Sequence, residues 1–173
     1  MNGALHGLVW RRLDAADAAQ YRALRLEGLR LFPHAFRSDY EEAAALPAIL
    51  SATRLSAKGD YWLGVFDGGK LAGAVGLRTQ QGRKVRHVAE LIGMVVAPAW
   101  QGRGVGRLLV AQLIAQARAL GHIRQIQLTV TDGNAAAEKL YASFGFEQYG
   151  LEREAIEIDG AFYAKQLRQL FLK

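Results

Sequence analysis

The chain contains no cysteine. That absence removes disulfide frameworks, cysteine-based metal sites and a cysteinyl acyl-enzyme, and nothing calls for an oxidising compartment. No apolar run approaches the roughly 18 residues that a membrane-spanning helix needs, so no membrane partner is expected. The opening stretch Met1–Val9 lacks the basic region and long apolar core of a secretory leader, which makes a cytoplasmic location the expectation. Repeats, linkers and low-complexity tracts are missing too, and 173 residues without them read as a single domain, 1–173. The histidines His6, His34, His87 and His122 form no metal-ligand pattern, so no metal is expected.

What is present is a globular composition, 51% hydrophobic and 22% charged, with a formal net charge of +6. The positive balance favours anionic partners, but the Lys and Arg residues are scattered and no long basic block exists. A polyphosphate ligand therefore fits better than nucleic acid, which is not expected as a partner.

Taken in order, Leu8–Leu13 reads as a strand and Asp14 as the cap of a helix. That helix has Tyr21, Leu24, Leu29 and Phe32 on its apolar face, Arg22, Arg25, Glu27 and Arg30 on the other, and a stop at Pro33. Ser38-Asp39-Tyr40-Glu41 matches a capping box, and Pro47 opens a turn or helix running to Leu55. Tyr61–Phe66, the turn Asp67–Lys70 and Leu71–Arg78 make a hairpin. Val85–Val96 is a long strand with a bend or bulge at Gly93. Val105–Leu120 has apolar residues at helical spacing and ends at Gly121. Ile123–Val130 alternates as a strand, Asp132–Asn134 is a turn or cap, and Ala135–Ser143 is a short helix. Phe146–Tyr149 starts a strand, and Glu154–Ile158 with Ala161–Leu170 closes the chain as a hairpin around Asp159-Gly160. The order implies an α/β (α+β) fold, a mixed and mostly antiparallel sheet of about seven strands flanked by about four helices.

The chain is organised around Val96–Arg107. An apolar strand enters it, an amphipathic helix leaves it, and Gly102, Gly104 and Gly106 alternate between Gln101, Arg103 and Arg107. A strand, a backbone-exposing loop and a helix N-terminus point unpaired N–H groups at one place, which suits an anion, above all a phosphate. Two familiar phosphate loops do not fit. A P-loop needs Lys-Ser or Lys-Thr after its second glycine, and in the dinucleotide fingerprint the third glycine would come one residue later than Gly106.

Gln101-Gly102-Arg103-Gly104-Val105-Gly106 does fit the pattern Gln/Arg-x-x-Gly-x-Gly/Ala. A second element, Asn134-Ala135-Ala136-Ala137-Glu138-Lys139-Leu140-Tyr141-Ala142-Ser143-Phe144-Gly145-Phe146, matches Asn-x-x-Ala…Leu-Tyr-x-x-x-Gly-Phe. On these residues, and in element order over almost the whole chain, the protein resembles the GNAT superfamily of acetyl-CoA-dependent N-acetyltransferases. The resemblance implies that fold, acetyl-CoA as co-substrate and an amine as acceptor. It assigns the CoA pyrophosphate to the N–H groups of Gly102, Arg103, Gly104, Val105, Gly106 and Arg107, next to Gln101. It assigns the pantetheine arm to the backbone of Met94, Val95 and Val96, with amides there stabilising the developing oxyanion. It makes Asn134 a contact to the arm, with a helix cap as the alternative, and Tyr141 the acid that protonates the departing thiolate.

Glu90 is the candidate general base. It interrupts an apolar segment, and at four residues before Met94 it is expected on the strand face of Ile92 and Met94. Its spacing resembles the base of the histone acetyltransferase branch, with a structural ion pair to an arginine as the alternative. Two departures concern the acceptor. Thr129 stands where the branch acting on ribosomal-protein N-termini often has glutamate, and Asp159-Gly160 leads into Ala161–Lys165 without the acidic residue of many relatives. The reading is direct transfer from acetyl-CoA to a primary amine in a ternary complex, with a small-molecule acceptor. Acceptor walls are expected from Tyr21–Leu55 and from the hairpin around Asp159-Gly160. The alternatives are a protein lysine or N-terminal acetyltransferase and a non-catalytic CoA-binding domain. A homodimer is a further possible partner state, with the apolar closing strand Phe162–Leu172 as its candidate surface.

Overall fold

The computed structural model describes residues 7–173; the expectation for the first residues of the chain lies outside this range. Seven strands and five helices follow one another as β1 (Leu8–Arg12), α1 (Ala18–Leu31), α2 (Tyr40–Ala45), α3 (Ile49–Leu55), β2 (Asp60–Asp67), β3 (Lys70–Thr79), β4 (Val88–Val96), α4 (Val105–Ala119), β5 (Gln125–Thr131), α5 (Ala135–Ala142), β6 (Glu147–Ile158) and β7 (Ala161–Phe171). The strands form one sheet in the order β1-β2-β3-β4-β5-β7-β6. Every neighbouring pair is antiparallel except β4 and β5.

Local chemistry accounts for most boundaries. Asp14 and Asp17 form a reciprocal capping box over a 3₁₀ turn, Ala15–Asp17, that leads into α1. Asp39 rather than Ser38 caps α2, accepting from the Glu42 N–H, while the Ser38 hydroxyl accepts from Arg25. Both hairpin turns, Gly68-Gly69 and Asp159-Gly160, have two successive residues at positive φ, as a tight two-residue turn requires. Three expected boundaries move. Val85 belongs to a turn before β4, Ile123 precedes β5, and β6 joins the two stretches read separately, with register shifts along it.

The sheet separates two apolar layers by alternation, shifted where strands bulge. Leu63, Val65, Val75, Leu77, Ala89 and Leu91 pack under α4, with Leu109 and Leu113 at their centre. Trp62, Ala74 and Val95 pack on the opposite face against Tyr21 and Leu24 of α1 and Leu55 of α3. Burying each such leucine contributes about 1.5–3 kcal/mol. Gly28, inside α1, lets that helix sit against β4, since a Cβ there would lie 2.7 Å from Val95 Cγ2. β7 lies inside the sheet with β6 covering its edge, so the closing strand offers only exposed end residues such as Phe162 and Phe171, and no free backbone edge.

Candidate active site

The sheet opens at β4 and β5. These strands pair only over Val88–Glu90 and Gln125–Gln127, and beyond that point β5 continues on β7 while β4 continues on β3. The β3–β4 register slips between Ala74 and Gly76, and Gly93 takes φ +59° at the slip. A side chain there would also strike Trp62, 2.8 Å from the Cβ position. The bulge expected at Gly93 is therefore present, and a slot opens beside it.

The bulge changes which way the neighbouring residues face. Ile92 and Val95 pack on the α1 side, whereas Met94 and Val96 pack on the α4 side. Glu90, opposite in phase to Ala89 and Leu91, shares the α1 side with Ile92 but not with Met94. The expected common face of Glu90 and Met94 is thus wrong, because one extra residue inverts a period of two. Backbone direction follows the same logic. The Ala97 N–H donates to Ala72 O on β3 at 2.9 Å, so alternation turns Val95 toward β3 and leaves the N–H groups of Met94 and Val96 facing the slot. Of the three β4 residues named for the pantetheine arm, Val95 has its backbone polar groups committed to β3.

At the mouth of the slot, Gly102 and Gly104 take φ +72° and +85°, a region that L side chains rarely enter. Gly104 occupies the N-cap of α4, no side chain caps this end, and Leu108 makes the first helical bond back to Gly104 O. The N–H groups of Val105, Gly106 and Arg107 are thereby turned out of the helix. Gly106 also serves packing. A Cβ there would meet Met94 Cε at 3.2 Å and Leu140 Cδ2 at 3.4 Å, so its lack of a side chain seats α4 against β4 and α5. Gln101 Nε2 donates to Val96 O at 3.1 Å, tying the loop to the end of β4. Arg103 lies over the Trp100 ring at 5.1 Å, and Arg107 lies over Phe144 at 4.9 Å while donating to Ser143 Oγ.

Across the slot stands α5. Asn134 caps it by accepting from the Ala137 N–H at 3.3 Å, and both Asn134 and Tyr141 line the same cavity of about 430 Å³ as Ile92, Gly93 and Met94. Tyr141 is 6% exposed and packs edge-on to Phe146. Burial raises its phenol well above the ordinary value, so it stays protonated. Glu90 does not line this cavity, whose β4 wall begins at Leu91. Its partners in register are Arg78 on β3 and Gln127 on β5, which puts it at the vertex where the sheet divides.

Several wall residues escaped the sequence reading. Lys165 of β7 is only 2% exposed, and its Nζ donates to Ala35 O at 3.0 Å and Thr131 Oγ1 at 2.8 Å. Burial, with Arg37 second, pushes it down to about 8. The Thr131 hydroxyl donates in turn to His34 O, and His34 Nε2 meets the Tyr163 hydroxyl at 3.0 Å. Arg37 pairs with Glu152 and keeps that carboxylate low. These contacts fasten the segment after α1 over the slot. A second cavity of about 670 Å³ shares Arg25, Arg37, Ser38, Arg54 and Arg78 with the first. Residues of α1, α2 and α3 line it, as expected for the acceptor side, whereas Asp159 borders a separate cleft with Leu29 and Pro33. Arg25, assigned to the polar face of α1, is half-buried here. Its spacing of four from Tyr21 carried that signal. Beneath it, the Tyr21 hydroxyl and Trp62 Nε1 are buried with no hydrogen-bond partner. Each such orphan costs about 1–3 kcal/mol.

A split β4–β5 pair with an uncapped glycine-led helix beside it is the arrangement that the resemblance implies, and comparison with known proteins shows the family. The model of the Acetyltransferase (GNAT) family matches residues 21–146. The chain belongs to the GNAT acetyltransferase family. It is 36% identical over 107 residues to the N-alpha-acetyltransferase RimI of Mycobacterium tuberculosis, a match covering 62% of this chain and 65% of the relative. It is 34% identical over 82 residues to the L-amino acid N-acetyltransferase AaaT of Escherichia coli, covering 47% and 50% of the two chains. The matches thus span about half to two thirds of these relatives. A GNAT-family acetyltransferase structure from Streptococcus pneumoniae superposes with a TM-score of 0.85 at 29% identity, over 95% of this chain and 99% of the other. The fold of yncA from Salmonella typhimurium, solved with acetyl-CoA, is equally similar at a TM-score of 0.85, with 23% identity and coverage of 96% and 95%.

Proposed function

We propose that the protein is an N-acetyltransferase that moves an acetyl group from acetyl-CoA to a primary amine by direct attack in a ternary complex, with a small molecule as acceptor. One observation carries this reading. The buried, protonated Tyr141 shares one cavity with Gly93 and Met94 of the unpaired stretch of β4, and the uncapped α4 packs at Gly106 against Met94. The residues fit the co-substrate. The N–H groups of Gly102–Arg107 suit a pyrophosphate, and the slot-facing N–H groups of Met94 and Val96 suit a peptide-like arm and an acyl carbonyl oxygen. Asn134 retains its amide N–H donors toward the arm while its oxygen caps α5.

When bound, acetyl-CoA supplies an activated acyl carbon, to which the amine nitrogen bonds as the carbon–sulfur bond breaks. Tyr141 supplies the proton for the sulfur and its hydroxyl is rebuilt from solvent. The proton leaving the amine has Glu90 as its proposed acceptor, reached through water from the vertex of the sheet. The small-molecule reading is supported by the segment after α1, which borders both cavities. The segment fastened by Lys165 and Arg37 narrows the approach that a folded protein substrate would need. Thr129 in place of a glutamate points the same way.

A thiol-release assay with acetyl-CoA against amines and peptides tests both parts. Thiol release with small amines is the expected result. Release with N-terminal peptides alone contradicts the acceptor class, and CoA binding without release from any amine contradicts catalysis. Glu90→Gln is expected to shift or remove the acidic limb of the pH–rate profile, and an unaltered limb removes Glu90 from the mechanism.

A further inference from the structure

The cavity that holds Gly93, Met94 and Tyr141 is lined by five cationic side chains, Arg25, Arg37, Arg54, Arg78 and Lys165, and by no carboxylate. Two of the five are neutralised from outside it, Arg78 by Asp60 and Arg37 by Glu152. Arg25 donates to the Ser38 hydroxyl, and neither Arg25 nor Arg54 has an ion pair among the described residues. Arg25 and Arg54 line both this cavity and the adjoining one of about 670 Å³, which also carries Asp39, Glu42 and Asp60. The buried Tyr21 hydroxyl lies 4.0 Å from the Cβ position of Gly93. Arg54 also reaches over the Trp62 ring, 6.0 Å from its centroid.

Two guanidinium groups without an ion pair, on the wall of a cavity that holds no carboxylate, are donors that lack an anionic acceptor. Planar guanidinium groups match a carboxylate or phosphonate with paired hydrogen bonds. We propose that the acceptor amine carries its own anionic group, bound by Arg25 and Arg54 while the amine lies at Gly93 and Met94. The inference rests on the acetyl-transfer reading and narrows its substrate class to amino acids and their anionic analogues. Polyamines and lysine-rich peptides are expected to be poorer acceptors, because the five cations around Gly93 and Met94 repel a cation that brings no anion. The same charges favour the neutral amine over the ammonium, and so assist the deprotonation that precedes attack.

The experiment pairs turnover with equilibrium binding. Thiol release is measured with the standard L-amino acids, their C-terminal amides, aminoalkylphosphonates and spermidine. The preferred anionic amine is expected to exceed its neutral counterpart by about tenfold or more in kcat/KM. The carboxylate and phosphonate arms identify which anion is recognised. Arg54→Ala and Arg25→Ala are expected to raise KM by about tenfold or more with little change in kcat, and Arg54→Lys to recover part of the loss. In parallel, calorimetry with the N-acetyl-L-amino acids reads the anion site without catalysis. At least one is expected to bind the wild type and to be lost in Arg54→Ala, with acetyl-CoA affinity and melting temperature unchanged. Amides or spermidine used as well as amino acids overturn the proposal, as does binding that ignores Arg54→Ala. Absence of thiol release from every amine defeats the transfer reading alone, and the calorimetric arm then decides the anion site.

Discussion

The two halves of the site are built from different materials. The donor half is backbone: an uncapped helix end, two left-handed glycines and the unpaired edge of β4. Its two arginines, Arg103 and Arg107, lie over Trp100 and Phe144. The acceptor half is side chain: Arg25, Arg54 and Arg78 from three separate elements, closed by Lys165. A backbone site tolerates change in its side chains and depends on geometry, whereas a side-chain site depends on each group it presents. The halves should therefore fail in different ways when mutated.

The largest effect is expected where the halves meet. Tyr141→Phe keeps the ring packed on Phe146 but removes the only phenol assigned to the sulfur. Turnover is expected to fall by about 10²–10⁴-fold with acetyl-CoA affinity unchanged, and equal losses in both would make Tyr141 a packing residue. Next comes the seat of β4. Gly28→Val forces atoms into the 2.7 Å gap at Val95 and is expected to cost about 1–3 kcal/mol, read as a lower midpoint in urea. An unchanged midpoint would show that α1 does not hold the slot.

A smaller effect separates the halves by pH. Lys165 is lowered from 10.5 to about 8, so between these values the unfolded chain holds a proton that the folded one has released. Stability from this residue is complete above about 10.5, is lost as pH falls toward about 8, and is flat below. The unfolding free energy of wild type relative to Lys165→Met is expected to rise with pH across that window. A flat difference would mean that Lys165 titrates as an ordinary surface lysine. The smallest effects are reserved for the donor arginines. Arg103→Ala and Arg107→Ala are each expected to weaken acetyl-CoA by less than about threefold, as exposed charges do. A loss of tenfold in either would move the donor site from backbone to side chain.

The same contrast explains what was legible in the sequence. Gly102, Gly104 and Gly106 stand within a few residues of one another, so a backbone site left a local pattern that could be read. Gly93 was also legible, because a glycine in an otherwise β-branched and apolar strand has few other uses. Its consequence was missed, since the bulge that opens the slot also separates Glu90 from the face of Met94. The acceptor wall was hidden for a different reason. Arg25, Arg54, Arg78 and Lys165 lie on α1, α3, β3 and β7, and only the folded sheet brings them together. Individually they read as the scattered charge of a basic protein. Lys165 gave one sign, a lysine at a core position of an alternating strand, between Ala164 and Gln166.

The most direct test of a donor half made of backbone is hydrogen exchange of individual amides with and without acetyl-CoA. Slower exchange is expected at Met94, Val96 and Gly102–Arg107, with Val95, already bonded to β3, unchanged. Protection confined to the arginine-lined cavity, or none at the α4 N-terminus, would contradict the account.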